Sequence, residues 1–284
     1  MIKLIKLLSL AGLLLQAASV GAQDKNFYVF LCLGQSNMEG FPGIPDEDQQ
    51  WSDPRFQVLA AVDFPALKRE AGQWYTAVPP LCRPNSGLSP ADYFGRTLVA
   101  LLPAEVRIGI VSVAVAGAKI EVYNPARIEA YAAAAPAWKK GIIAAYGGNP
   151  YQRLVDLGKL AQKSGVIRGI LLHQGESNTN DHEWPAQVKA LYENLLKDLG
   201  LKAADVPLLA GEVVAADQHG ASASMNEIIA TLPGTIPTAH VVSAAGCACR
   251  PDHLHFLPAG YRLLGERYAE TMLPLLGFNP VGTP

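Results

Sequence analysis

The chain has 284 residues, half of them hydrophobic, with 23 basic against 25 acidic side chains and a net charge of −2. That balance excludes the broad basic surface of a nucleic-acid binder, and the apolar content is enough for one large core. Past the N-terminus no run of about 18 apolar residues offers a membrane span, so the expected partner is a small molecule or a neutral polymer, not nucleic acid or a bilayer.

Residues 1–6 carry two lysines, residues 7–20 are almost wholly apolar, and Val20-Gly21-Ala22 presents small residues. This is the pattern of a secretory signal peptide over residues 1–22, cleaved after Ala22, and it implies an exported protein, periplasmic or secreted. The apolar run is short for a membrane anchor, and no cysteine follows it to take a lipid. The remaining 262 residues (284 − 22), 23–284, are expected to form a single domain.

The apolar run 27–33 reads as a buried strand, and it leads into Gly34-Gln35-Ser36-Asn37-Met38-Glu39-Gly40. A strand that stops at glycine and then presents a serine is how many hydrolases hold a nucleophile at the carboxyl edge of a sheet; an ordinary turn or helix cap is the simpler alternative. Residues 41–87 show no sustained period and are expected to be irregular, with Trp51, Trp74 and Tyr75 available either to line a sugar pocket or to pin the loop. Ser89-Pro90 opens a helix to about residue 102, with serine as cap and proline at its first position. Residues 107–114 form a β-branched strand ending at a glycine turn, Val115-Ala116-Gly117-Ala118-Lys119, where Gly117 either simply allows the bend or turns its N–H to a substrate oxygen.

An alanine-rich, partly helical excursion, 120–148, precedes a helix capped by Asn149-Pro150 that runs to residue 163. Residues 166–172 make the third strand and deliver His173-Gln174-Gly175-Glu176-Ser177-Asn178 to the same edge. An amphipathic helix at 185–199, a strand at 206–214, a short helix at 224–232, a strand at 240–243, a loop at 246–256 and a helix at 258–276 complete the chain. Strands alternating with helices predict an α/β fold: a mainly parallel, five-stranded sheet covered on both faces, with ligands beyond the carboxyl ends of the strands.

At that edge a serine needs a base, and the base needs a carboxylate to fix its tautomer. Asp252 and His255, three apart in the last loop, supply both; the other four histidines besides His253 (His173, His182, His219 and His240) read as surface or packing residues, and His253 projects away from His255. The Ser36 and Gly117 N–H groups and the Gln174 amide form a candidate oxyanion hole. Gln35, Glu176 and Lys119 are candidate substrate-binding residues, with a buried structural pairing the equal alternative for Glu176. Asp252, His253, His255 and His173 raise the alternative of a metal site, but the His-Glu-x-x-His spacing is missing and the Ser36 turn would then have no purpose, so neither metal nor cofactor is expected. Among the four cysteines, Cys32 reads as a buried thiol and Cys82 as a possible partner of Cys247 or Cys249.

The blocks Gly34-Gln35-Ser36-Asn37-Met38-Glu39-Gly40, Gln174-Gly175-Glu176-Ser177-Asn178 and Asp252-x-x-His255 together resemble the signature blocks of the sialate O-acetylesterase-like proteins, in the SGNH hydrolase superfamily near the acetylxylan esterases of carbohydrate esterase family 6. The resemblance implies a three-layer, flavodoxin-like sheet of five strands, a Ser36-His255-Asp252 triad, Gln174 in the place of an asparagine donor, and metal-independent removal of O-acetyl groups from sugars such as acetylated xylan or O-acetylated sialic acid. Where the family has Gly-Gly-Thr-x-Ile and an aromatic residue, this chain has Ala116-Gly117-Ala118-Lys119-Ile120, with Tyr123 near the aromatic position. The alternatives are a carbohydrate-binding relative with little turnover and a general short-acyl or lipid esterase.

Overall fold

The computed structural model describes residues 23–278, so the leader expected over residues 1–22 lies outside the described residues. Seven strands form one sheet: β1 Phe27–Gly34, β2 Phe56–Leu59, β3 Trp74–Thr76, β4 Arg107–Ala114, β5 Val166–His173, β6 Leu208–Gly211 and β7 Ala239–Val242, in the order β3-β2-β4-β1-β5-β6-β7. The helices described are α1 Ser36–Glu39, α2 Asp46–Gln50, α3 Pro90–Leu101, α4 Ile128–Ala134, α5 Ala137–Ala145, α6 Pro150–Ala161, α7 Trp184–Leu199, α8 Met225–Ile229, α9 Leu232–Thr235 and α10 Pro258–Leu275.

The sheet has seven strands rather than the five expected. The expected five are β4, β1, β5, β6 and β7, all parallel, and they stand in the spatial order second, first, third, fourth, fifth, which is the flavodoxin-like winding. The two additions come from the segment read as irregular. β2 lies parallel to β4 with Phe56 opposite Ile108, and β3 closes the edge antiparallel to β2. These strands, of four and three residues, lie in a proline- and acid-rich stretch with no α-helix between them, so no rhythm of strand and helix marks them in the sequence.

Three layers result. α3 and α10 pack together over one face, and α6 and α7 cover the other. In β1, Phe30 meets Phe94 of α3 with ring centroids 4.8 Å apart, while Leu33 faces Val188, Leu191 and Leu195 of α7. A strand covered on both faces has no polar side, which is why β1 reads as an almost unbroken apolar run. The helix starts follow their caps: the Ser89 N–H and hydroxyl both donate to Asp92 Oδ2 at 2.9 Å, and Asn149 Oδ1 accepts the Gln152 N–H at 3.0 Å. All four cysteines are free, so the bridge considered for Cys82 is not formed; its buried thiol lies 3.1 Å from the Tyr146 hydroxyl instead. Among the described residues no helix is long and apolar enough to cross a membrane.

Candidate active site

The ends of β1, β4 and β5 are level: Gly34 stands opposite Ala114 on one side and His173 on the other. A Cβ at Gly34, whose φ is +150°, would sit 2.0 Å from the His173 carbonyl oxygen, so only glycine lets the two strands run this close. Tyr123, the aromatic residue after the Gly117 turn, is buried here and lies 2.7 Å from the Gly34 carbonyl and 2.8 Å from that of Val113. It ties two strand ends together and does not face the cavity.

Ser36 opens α1 directly beyond this junction. Its Oγ is 2.9 Å from His255 Nε2, and His255 Nδ1 is 2.8 Å from Asp252 Oδ2. Asp252 Oδ1 accepts the N–H groups of Leu254 at 2.9 Å and His255 at 3.0 Å. Asp252 can only accept while ionised, so Nδ1–H donates to it and Nε2 is left to accept from the serine hydroxyl. Partial burial pushes the Asp252 carboxyl up, but the His255 and Leu254 N–H groups and the His255 ring outweigh it and bring the pKa down to about 2. Phe41 packs on the His255 ring with centroids 4.8 Å apart, and the Arg250 guanidinium lies 4.1 Å from the Phe41 ring centroid.

The turn and the last loop are held together by Asn37, which the sequence reading passed over. Its Nδ2 donates to the Leu254 carbonyl at 2.9 Å and to Glu176 Oε1 at 2.5 Å; its Oδ1 accepts the Tyr261 hydroxyl at 2.9 Å and the Phe256 N–H at 3.3 Å. Asn37 is fully buried, and every polar atom of its amide is engaged.

Among the described residues neither the Ser36 nor the Gly117 N–H has an acceptor, which leaves both available as anion donors. The Gln174 amide, expected beside them, is turned inward. Its Oε1 accepts the Trp184 indole N–H, while its Nε2 donates to Asn178 Oδ1 at 2.7 Å and lies 3.2 Å from both Gln35 Oε1 and the Ala118 carbonyl. Gln35, Ser36, Gly117, Glu176 and His255 line a cavity of about 280 Å³, and Gln174 does not.

Of the residues expected to bind substrate, Lys119 stands away from this cavity: its side chain is exposed and its N–H donates to the Tyr131 hydroxyl. Lys139 takes the nearby place, with Nζ 2.6 Å from the Gly117 carbonyl. Glu176 contributes to the wall, but its carboxylate faces inward to Asn37 and lies 3.6 Å from His173 Nε2. Burial alone would raise its pKa; the His173 ring and the Asn37 amide reverse this and lower it. The aromatic side chain at the cavity is Trp138 of α5, 57% exposed and lying where a Gly117 side chain would otherwise stand. Trp51 packs under the Arg96 guanidinium, Trp74 packs on Phe27, and the Tyr75 hydroxyl accepts the Glu70 N–H, so these three pin their own segment. Composition gave no reason to prefer Trp138 over them; only the fold of the 120–148 excursion brings it across.

His253 has φ +55° and turns its ring toward the Gln218 carbonyl and His219, away from the triad. His173 is buried and meets Phe256 edge-on. The four side chains weighed as metal ligands therefore point in three directions, and among the described residues no group of three His, Cys, Asp or Glu is placed to hold a metal ion.

The chain is similar in structure to a protein from Arabidopsis thaliana (TM-score 0.66, 20% identity, covering 88% of this chain and 99% of that one) and to NanS (TM-score 0.64, 19% identity, 90% and 99%). It is also similar to a carbohydrate acetylesterase from Xanthomonas citri (TM-score 0.58, 19% identity, 85% of this chain and 55% of that one). At these identities the likeness shows a shared fold. Family membership comes from the sequence itself, since residues 26–274 match the model of the carbohydrate esterase, sialic acid-specific acetylesterase family. The block order, the strand-end serine and the match over almost the whole described chain lead to one conclusion: this protein belongs to the carbohydrate esterase, sialic acid-specific acetylesterase family.

Proposed function

We propose that this carbohydrate esterase removes acetyl groups from sugars through an acetyl-enzyme formed on Ser36. The observation that carries the reading is the relay Ser36 Oγ to His255 Nε2 at 2.9 Å and His255 Nδ1 to Asp252 Oδ2 at 2.8 Å. Ser36 Oγ attacks the acetyl carbonyl carbon, its proton passes to His255 Nε2, and the carbonyl electron pair moves onto oxygen. The Ser36 and Gly117 N–H groups receive that oxyanion. Collapse breaks the bond to the sugar oxygen, which takes the proton from His255. Water then attacks the acetyl-serine with His255 as base, acetate leaves, and Ser36 regains its proton. Asp252 stays ionised throughout, holding the ring and balancing the imidazolium.

Trp138 supports the sugar reading. A large apolar ring more than half exposed beside a nucleophile offers a flat face to the apolar face of a pyranose. Lys139, bound to the Gly117 carbonyl and lying 5.3 Å from the Trp138 ring, holds α5 against the oxyanion turn. The catalytic unit is residues 23–284, exported to the periplasm or the medium after loss of residues 1–22, with an acetylated carbohydrate as partner. Acetate release from acetylated xylan and from O-acetylated sialic acid, measured in parallel with and without a strong chelator, tests this reading. Release from at least one of them in both conditions supports it; loss that zinc restores, or release only from lipid or long-chain esters, overturns it.

A further inference from the structure

We propose that Lys139 is a positioning residue for the acetyl transfer: its ammonium, bound to the Gly117 carbonyl, holds the turn of residues 115–118 in the form that presents the Gly117 N–H to the cavity; this rests on the acetylesterase reading above. The Ala118 N–H donates to the Val115 carbonyl at 3.1 Å, which closes a β-turn with Ala116 and Gly117 at its centre. Gly117 has φ +60° and Ala116 has no positive φ, the pattern of a type II turn. A type I turn over the same four residues would hold Gly117 at negative φ and rotate the central peptide, so that the Gly117 N–H pointed to the opposite side. Glycine takes either form at little cost. The direction of this donor is therefore set by whatever leans on the turn.

That support comes from α4 and α5. Lys139 Nζ lies 2.6 Å from the Gly117 carbonyl, which has no other hydrogen-bond partner among the described residues. The Tyr131 hydroxyl accepts the Lys119 N–H at 2.9 Å and lies 3.5 Å from the same Nζ, so the two helices grip the segment 117–119 at both ends. Trp138 closes the face between them: its ring would lie 2.9 Å from a Cβ placed on Gly117. Lys139 makes no ion pair among the described residues, which leaves its ammonium to the carbonyl, and a charged donor makes that bond about twice as strong as a neutral one. The titratable groups that face Nζ are Tyr131 and Lys119, with Glu121 beyond Tyr131. Burial, and then the Lys119 charge, lower the Lys139 pKa, and burial raises that of Tyr131.

With 4-nitrophenyl acetate, Lys139→Met is expected to lose about tenfold in kcat with KM changed by less than about threefold, and Lys139→Arg, which keeps a charged donor, to stay within about threefold of wild type. Wild-type kcat for ethyl acetate is expected to fall as pH rises from about 8 to about 10.5, and Lys139→Arg to lack that fall because its guanidinium keeps its proton. A folded Lys139→Met that keeps kcat within about threefold, a wild type with no alkaline fall, or the same fall in Lys139→Arg overturns the assignment; an inactive wild type overturns the esterase reading instead. Crystal structures test the turn without turnover. Gly117 is expected at positive φ in the wild type and at negative φ, or in both forms, in Lys139→Met. An unchanged turn in that variant would contradict the proposal.

Discussion

Asn37 and Leu254 are 217 positions apart, and the amide of one donates to the carbonyl of the other at 2.9 Å. That bond, with those from Phe256 and Tyr261 to the same side chain, fastens the turn bearing Ser36 to the loop bearing His255. A serine hydroxyl and an imidazole brought from opposite ends of a chain react only while their separation is held to fractions of an ångström. Asn37 does this without touching either of them.

Asn37→Ala is expected to cost both stability and rate. It leaves Glu176 and the Tyr261 hydroxyl without their buried partner, at about 1–3 kcal/mol for each polar group stranded, and it frees the 252–256 loop. A fall in kcat of about ten- to a hundredfold, with a lowered urea midpoint, is the expected result of steady-state kinetics and denaturation. Wild-type kcat in this variant would show that the loop holds its own position.

The stability of the protein should depend on pH through Asp92. Burial raises its carboxyl from 3.8 to about 6 against the opposing pull of the Ser89 N–H and Arg96. Between those values the native protein holds a proton that the unfolded chain has released, so this group's contribution to stability falls as pH rises through the window, by about 1.4 kcal/mol per unit, or about 3 kcal/mol in all. Asp92→Asn removes the titration and should stabilise the protein at about pH 7.5 relative to wild type, with little gain at about pH 4.5. Urea denaturation at the two pH values checks this, and an equal shift at both would contradict it.

Much of the fold was legible because the chain alternates apolar runs with amphipathic segments, and strands β1, β4, β5, β6 and β7 and the helices from Pro90, Pro150 and Pro258 follow that rhythm. β2 and β3 were not, since they sit in a proline- and acid-rich stretch without the alternation of strand and helix, and they gain strand character from the neighbours they pair with. Within the site, the convergence of Ser36, Asp252 and His255 was readable because a strand-end serine and a histidine three residues after an aspartate stand out in the sequence. Asn37 and Trp138 were not. A buried asparagine and an exposed tryptophan acquire their places in the site from what stands opposite them. Lys119 shows the converse: a cation beside the Gly117 turn is exposed and stands away from the cavity, and Lys139 from the following helices reaches the Gly117 carbonyl.

Trp138 should separate sugar substrates from small esters. In Trp138→Ala the ratio of kcat/KM for an acetylated xyloside to that for ethyl acetate is expected to fall about tenfold, the scale of one lost aromatic contact, with Trp138→Phe keeping most of it. Competition between the two esters reads that ratio directly. A ratio unmoved by alanine would remove the ring from the sugar site.

The central claim is that Ser36 is the nucleophile that His255 and Asp252 activate. Its most direct test is acetate release by wild type and Ser36→Ala from acetylated xylan and O-acetylated sialic acid, with circular dichroism to show that both are folded. The account predicts release by the wild type and a fall of at least about a thousandfold in the folded variant. Undiminished release by folded Ser36→Ala would contradict it.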